Sequence, residues 1–295
     1  MLINPQQKKA YGYALTAVLF WSTVSSAFKL TLRQMSPPDL VFWAVVNGII
    51  VLLLINRTGK NKITYKTITG KALRSSAIMG FFNPFLYYLV LIKAYDLLEA
   101  QVAGALNYLW PVVLVLLSVI ILKQKIKPAG LLALAISFLG IIIISTGGNL
   151  FTLKVDNFTG VSLALGSAFL WAVYWILNMK DQREDTGKIL LNMVFGLIYL
   201  IIWFLIRHHT LYIPTLKGYL GTLYIGIFEM GLTFVVWLKA LKSSSDTAKV
   251  SNLIYLSPFL GLFWIGLLVG ETIHVATITG LIFIVSGILI QTRLK

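Results

Sequence analysis

The chain has 295 residues, 58% of them hydrophobic and 12% charged, with a mean hydropathy of +0.85. That is about half the charge of an ordinary soluble domain, too little polar surface for a soluble enzyme, a disordered chain or a usual nucleic-acid binder. The class left is an integral membrane protein. Its net charge of +15 then reads as Lys and Arg of cytoplasmic loops, and the absence of Cys excludes disulfides and thiolate chemistry.

A helical span needs roughly 20 mostly apolar residues. In chain order such stretches are predicted at 10–32, 39–56, 72–95, 99–122, 128–146, 159–180, 188–207, 214–241, 246–269 and 273–292. The runs at 111–122 and 131–144 do not alternate in polarity, which excludes transmembrane strands. Lys8, Lys9 and the run to Ser25-Ser26-Ala27 imitate a signal peptide, but the apolar stretch continues and reads as a retained span. Of the 25 Lys and Arg, only Lys29, Arg33, Lys93, Lys154, Arg207 and Lys217 fall opposite the side that holds both termini. Both termini are therefore expected in the cytoplasm.

The halves match at an offset of about 147. Leu106, Tyr108, Leu109 and Pro111 align with Leu253, Tyr255, Leu256 and Pro258, and Gly140-Ile141 aligns with Gly287-Ile288. One residue less aligns Gly80, Phe82, Lys93 and Ala94 with Gly226, Phe228, Lys239 and Ala240. Five spans per half is an odd number, so the second copy enters from the opposite face, the inverted-repeat plan of many secondary transporters. The fold expected is all-α and integral to the membrane: ten transmembrane helices in two inverted five-helix repeats, 1–146 and 159–295, joined by a linker at 147–158.

The Lys-Ala ends of the third helices (Lys93-Ala94, Lys239-Ala240), Tyr-Leu-x-Pro in the fourth (108–111, 255–258) and Leu268-Val269-Gly270-Glu271 resemble the drug/metabolite transporter superfamily and its ten-helix EamA-like exporters. Where that family has Gly-Glu in the first half, this chain reads Lys123-Gln124. The resemblance implies export of small metabolites, amino acids or amphipathic and aromatic compounds, by alternating access around a midplane cavity built from spans 1, 3, 4, 6, 8 and 9. It further implies a cell (inner or plasma) membrane, a monomer or homodimer, and protons as the candidate coupling ion. A nucleotide-sugar or phosphorylated-metabolite exchanger of the same fold is the alternative, but such a site needs deep Lys or Arg to hold phosphate. A membrane-embedded enzyme is a more distant reading, since it needs several convergent catalytic groups.

No Walker A, His-Glu-x-x-His or Gly-x-Ser-x-Gly motif is present. No catalytic residue, metal site, cofactor or nucleic-acid partner is expected, and His208-His209 and His274 read as loop or helix-start residues. Of ten acids only Glu229 lies deep in a span. An ionised carboxylate there costs at least about 2.5–3.5 kcal/mol, so Glu229 reads as a proton or substrate-amine site, or as a neutral acid bonded between helices. The repeat places Asn83 at the same depth. Trp171, Tyr174 and Trp175 share one helix face; with Trp21 they form a candidate aromatic wall, or simply pack, and the repeat-related Tyr108 and Tyr255 are further candidates for the substrate or proton site. Pro84, Pro111 and Pro258 fall inside spans and are expected to kink lining helices. Lys93 and Lys239 either snorkel to head groups or lend positive potential to the cavity mouths. Gly266-x-x-x-Gly270 reads as a close-packing motif, and Glu99 and Glu271 as capping or solvated acids.

Overall fold

A computed structural model of the chain describes residues 5–58, 68–122, 128–149, 155–244, 250 and 252–293. Among these residues the chain is helical, with no strand. Six helical runs are long and apolar enough to cross a membrane: Pro5–Leu32, Pro37–Arg57, Gly70–Leu97, Phe158–Asn178, Asp185–Ile206 and Leu216–Lys242. Shorter apolar helices cover Ala100–Leu114, Leu132–Ser145, Leu253–Val269 and Val275–Ile290. The Lys123-Gln124 pair, most of the basic 57–71 connection and the start of the 246–269 stretch lie outside the described residues.

The elements are α1 (Pro5–Leu32), α2 (Pro37–Thr58), α3 (Gly70–Gly80), α4 (Tyr87–Leu97), α5 (Ala100–Asn107), α6 (Trp110–Leu122) and α7 (Pro128–Ser145), then α8 (Phe158–Lys180) and α9 (Asp185–Ile206). α10 (Leu216–Ile225), α11 (Leu232–Lys242), α12 (Ser257–Trp264) and α13 (Val275–Arg293) complete the chain. Polar side chains mark several starts by accepting an orphan N–H of the first turn: Thr69 from Ala72, Asn157 from Gly160, Glu184 from Gly187 and Thr215 from Gly218.

Among the described residues, four of the stretches expected as single helices are interrupted; in the ninth, a 3₁₀ turn at Leu253–Leu256 precedes α12 and a π-helical segment, Ile265–Val269, follows it. α3 passes into α4 through a π-helical segment, Phe81–Leu86, where Asn83 is non-helical (φ −146°, ψ 118°) ahead of Pro84. α10 passes into α11 through a second, Gly226–Gly231. No proline lies there; Thr233 instead donates its hydroxyl to the Phe228 carbonyl that the wider turn frees. The third break is the turn at Tyr108–Leu109 between α5 and α6. Pro111 and Pro258 lie inside the apolar helical runs Ala100–Leu114 and Leu253–Val269, each just after an interruption: Pro111 is the second residue of α6, and Pro258 lies in the first turn of α12, behind a 3₁₀ turn at Leu253–Leu256. In a first turn a missing N–H removes no α-helical bond, so each proline stands where a helical segment restarts.

Side-chain contacts sort the connections between two ends of the bundle. At one end Arg33 donates to the Val269 carbonyl (2.8 Å), Asn157 to that of Leu97 (2.8 Å), and His209 meets Asp39 (3.0 Å). At the other Lys242 meets Asp185 (2.6 Å) and Arg183 donates to the Ala72 carbonyl (3.1 Å).

Glycines set the closest helix approaches, and those contacts recur with the halves exchanged. A side chain at Gly80 would meet Asn192 O, Phe195 Cβ and Gly196 N of α9. One at Gly226 would meet Ala44 O, Asn47 Cβ and Gly48 N of α2, each 148 residues earlier than its counterpart. Gly196 faces Pro84 as Gly48 faces Met230. Along α7 and α13, Gly140 meets Gly280 O and Ile284, while Gly287 meets Ala133 O and Ser137. Gly266-x-x-x-Gly270 does not pack in this way. Gly266 faces only Ile273 and Glu271 of the following connection, and Gly270 adopts φ +80°, the left-handed turn that ends its helix.

Candidate functional site

Between the helices lies a cavity of about 180 Å³. α1 contributes Trp21, Ser25 and Phe28; α4 contributes Tyr87 and Tyr95; the α5–α6 break contributes Asn107, Tyr108 and Trp110. α8 adds Trp171 and Trp175, the second π segment Glu229, α11 Trp237, and the 3₁₀ turn Tyr255. Residues from the first, third, fourth, sixth, eighth and ninth apolar stretches of the sequence thus meet at one place. Of the residues singled out in the sequence, Glu229, Trp21, Tyr108, Trp171, Trp175 and Tyr255 line it together.

Glu229 is 8% exposed. The fully buried Tyr88 donates its hydroxyl to Glu229 Oε1 (3.0 Å), and the Trp21 indole lies beside the same carboxyl. Its depth in the span costs free energy unless such donors compensate; the wider turn at Gly226–Gly231 and the tight seating of Gly226 on α2 aim it inward. The walls are aromatic. Trp171 stacks on Tyr87 (centroids 4.7 Å, interplanar angle 29°), Trp110 lies near-parallel to Trp175 (6.3 Å, 19°), and Trp21 contacts Trp237 (5.6 Å). The polar tips are held: Ser25 and Tyr95 hydroxyls bond at 2.7 Å, and Asn107 donates to Ser167 Oγ (2.9 Å). Among the described residues the lining holds one acid and no Lys, Arg or His.

Asn83 and Tyr174 are not in this lining. They border a smaller void of about 10 Å³ with Tyr88, Asn192 and Phe234. Tyr88 spans the two, facing the void and bonding Glu229. Lys93 and Lys239 are exposed and outside the lining, Lys93 pairing with Asp96 (2.6 Å). Pro84 packs its ring against Gly196 of α9. Sequence reasoning missed Tyr87, Tyr95, Trp110 and Trp237. Each is an aromatic in an apolar run, and only the rotation of its helix turns it inward. Lys29 was also passed over; it donates to the carbonyls of Tyr95 (2.8 Å) and Leu98 (2.6 Å).

The two ends of the cavity differ. Toward the Arg33 end, Glu271 accepts the backbone N–H of Ala100 (2.8 Å) and Gln101 (3.2 Å), capping the start of α5 from a distant connection. Gln101 donates to the Thr272 carbonyl (2.8 Å), and His274 meets Glu99 (2.9 Å). Toward the other end a polar pocket of about 220 Å³ holds Asn178, Asp181 and Lys188 and shares Trp175 and Trp237 with the central cavity.

A multi-pass helical protein with a lined cavity among interrupted helices has the build of a membrane transporter. The family model described as the EamA-like transporter family matches residues 8–146 and again 158–293, and the chain belongs to that family. It is similar to an uncharacterized transporter of Clostridium kluyveri, 26% identical over 96% of this chain and 93% of that protein. An uncharacterized transporter of Archaeoglobus fulgidus is 25% identical over 97% and 99% of the two chains. The uncharacterized inner membrane transporter YhbE of Escherichia coli is 24% identical over 86% and 79%. A solved crystal structure shares the fold with a TM-score of 0.67 at 20% identity, covering 97% of this chain and 99% of that one.

Proposed function

We propose that the protein is a secondary transporter that exports small metabolites, amino acids or amphipathic and aromatic compounds, by alternating access around the central cavity. The observation that carries this reading is the cavity itself: one acid, Glu229, among stacked aromatics where interrupted helices meet. Ten spans in two inverted repeats, 1–146 and 159–295 with the linker 147–158, supply the two-state frame. The double match of the family model and the exchanged glycine contacts of the two halves support that frame. Lacing at the Arg33 end against a polar pocket at the other is the asymmetry of one state in such a cycle. By the bias of Lys and Arg, both termini and the pocket side face the cytoplasm, in a cell (inner or plasma) membrane.

Glu229 would bind protons or a substrate amine. Everted vesicles test this: uptake of labelled amino acids and aromatic amines is compared with and without a proton gradient, in wild type and Glu229→Gln. The expected result is uptake above empty vesicles, with accumulation or apparent affinity lost in Glu229→Gln. Wild-type vesicles that match empty ones for every compound would falsify the transport reading, and a Glu229→Gln protein equal to wild type would remove Glu229 from it.

A further inference from the structure

We infer that the central cavity selects compact organic monocations, amines with an aromatic or small apolar body, over zwitterionic amino acids and anions. The inference rests on the transport reading above and narrows its substrate range. Among the described residues the cavity lining holds one acid, the Glu229 carboxyl, and no Lys, Arg or His, so the charge it can offer a ligand is negative. The indole rings of Trp21, Trp171 and Trp175 line the same cavity, and aromatic π-systems attract a cation through the ring quadrupole, most strongly where water is excluded.

A zwitterion brings a carboxylate that also needs a partner. An unpaired carboxylate buried among aromatics is costly, and a second one near Glu229 is repelled. Among the described residues, two cations on lining helices are committed elsewhere. Lys29 is held by the carbonyls of Tyr95 and Leu98, and Lys93 pairs with Asp96 at the surface; neither lines the cavity. Size restricts the ligand as well. At about 180 Å³ the cavity falls below the roughly 300–1,000 Å³ of drug-sized sites, which favours a small amine over a nucleotide sugar.

Four ligands with one ring system and different charge test this: tryptamine (cation), tryptophol (neutral), tryptophan (zwitterion) and indole-3-propionate (anion). Binding to the full-length protein in detergent is measured by calorimetry at pH 8. Tryptamine should bind at least about tenfold tighter than tryptophan and indole-3-propionate. Glu229→Gln should weaken tryptamine by about tenfold or more while leaving tryptophol within about twofold. Trp175→Leu, checked for a monodisperse elution profile, should weaken tryptamine more than tryptophol, and it serves if Glu229→Gln does not fold. Tryptophan binding as tightly as tryptamine, tryptamine indifferent to Glu229→Gln in folded protein, or no binding by any of the four overturns the inference. If vesicles still take up tryptophan in those cases, the transport reading stands without it; if they take up nothing, both fail.

Discussion

Gly226 joins helix packing to the site, because three residues later the same π segment carries Glu229. A Cβ at Gly226 would lie 2.6 Å from Asn47 Cβ, 2.8 Å from Ala44 O and 2.9 Å from Gly48 N. Ordinary contacts lie near 3.5–4.0 Å, so Gly226→Ala requires α2 and the π segment to part by roughly 1 Å. Two of the three opposing atoms are main chain and cannot rotate away. Overpacking of this kind costs about 1–3 kcal/mol, or roughly 2–10 °C of apparent Tm. Gly80→Ala, its counterpart against α9, should behave alike, with the Asn192 carbonyl, Phe195 Cβ at 2.8 Å and Gly196 N at 3.0 Å in its way. Gly166 of α8 has nothing within 4 Å, so Gly166→Ala should be neutral or stabilise by up to about 1 kcal/mol. Thermal melts of detergent-solubilised variants, read by size-exclusion fluorescence, compare the three. Gly226→Ala melting with Gly166→Ala rather than below it would refute the packing argument.

Glu271→Ala removes the acceptor for the N–H groups of Ala100 and Gln101 and should lower stability by about 0.5–2 kcal/mol, as loss of a helix cap does; the same melt reads it. Pro111→Ala with Pro258→Ala should keep the apparent Tm within about 4 °C of wild type, since both prolines stand in first turns; a larger loss would mean they brace the helices internally. Burial raises the Asp181 carboxyl, but hydrogen bonds from Arg183 outweigh it and hold the group below the usual carboxylate range. A depressed folded pKa stabilises above the unfolded value of about 3.9 and loses that contribution as pH falls. Asp181→Asn should therefore melt below wild type at pH 7, with the gap closing only as pH falls below about 4, through the depressed folded pKa; a gap independent of pH would discount the ion pair. Reporters fused at Asp156 and His209 should read external and one at Arg183 cytoplasmic, and any exchange among them would break the proposed topology.

Much of the architecture is written into local composition. Long apolar runs cannot be solvated, so membrane helices follow from the sequence, and their N-caps at Thr69, Asn157 and Thr215 sit where polar residues precede those runs. Glu229 is conspicuous for a similar reason: a lone acid in an apolar stretch carries a cost that some contact must offset. The shared face of Trp171, Tyr174 and Trp175 follows from the helical period, yet the period does not say what the face meets. Trp171 and Trp175 reach the central cavity while Tyr174 turns into the void beside Asn83.

What only the tertiary structure decided comes from helices pressing on one another. The π segment at Gly226–Gly231 has no proline to announce it; there a glycine without a side chain seats against the main chain of α2. Tyr87, Tyr95 and Trp237 join the lining because each helix is rotated by the packing of its neighbours, a variable absent from any one segment. Glu271 has its cap partners 171 and 170 residues away, in α5. Hydropathy and periodicity are properties of a segment. Register, rotation and cross-chain capping are properties of pairs of segments, and these pairs exist only once the helices have come together.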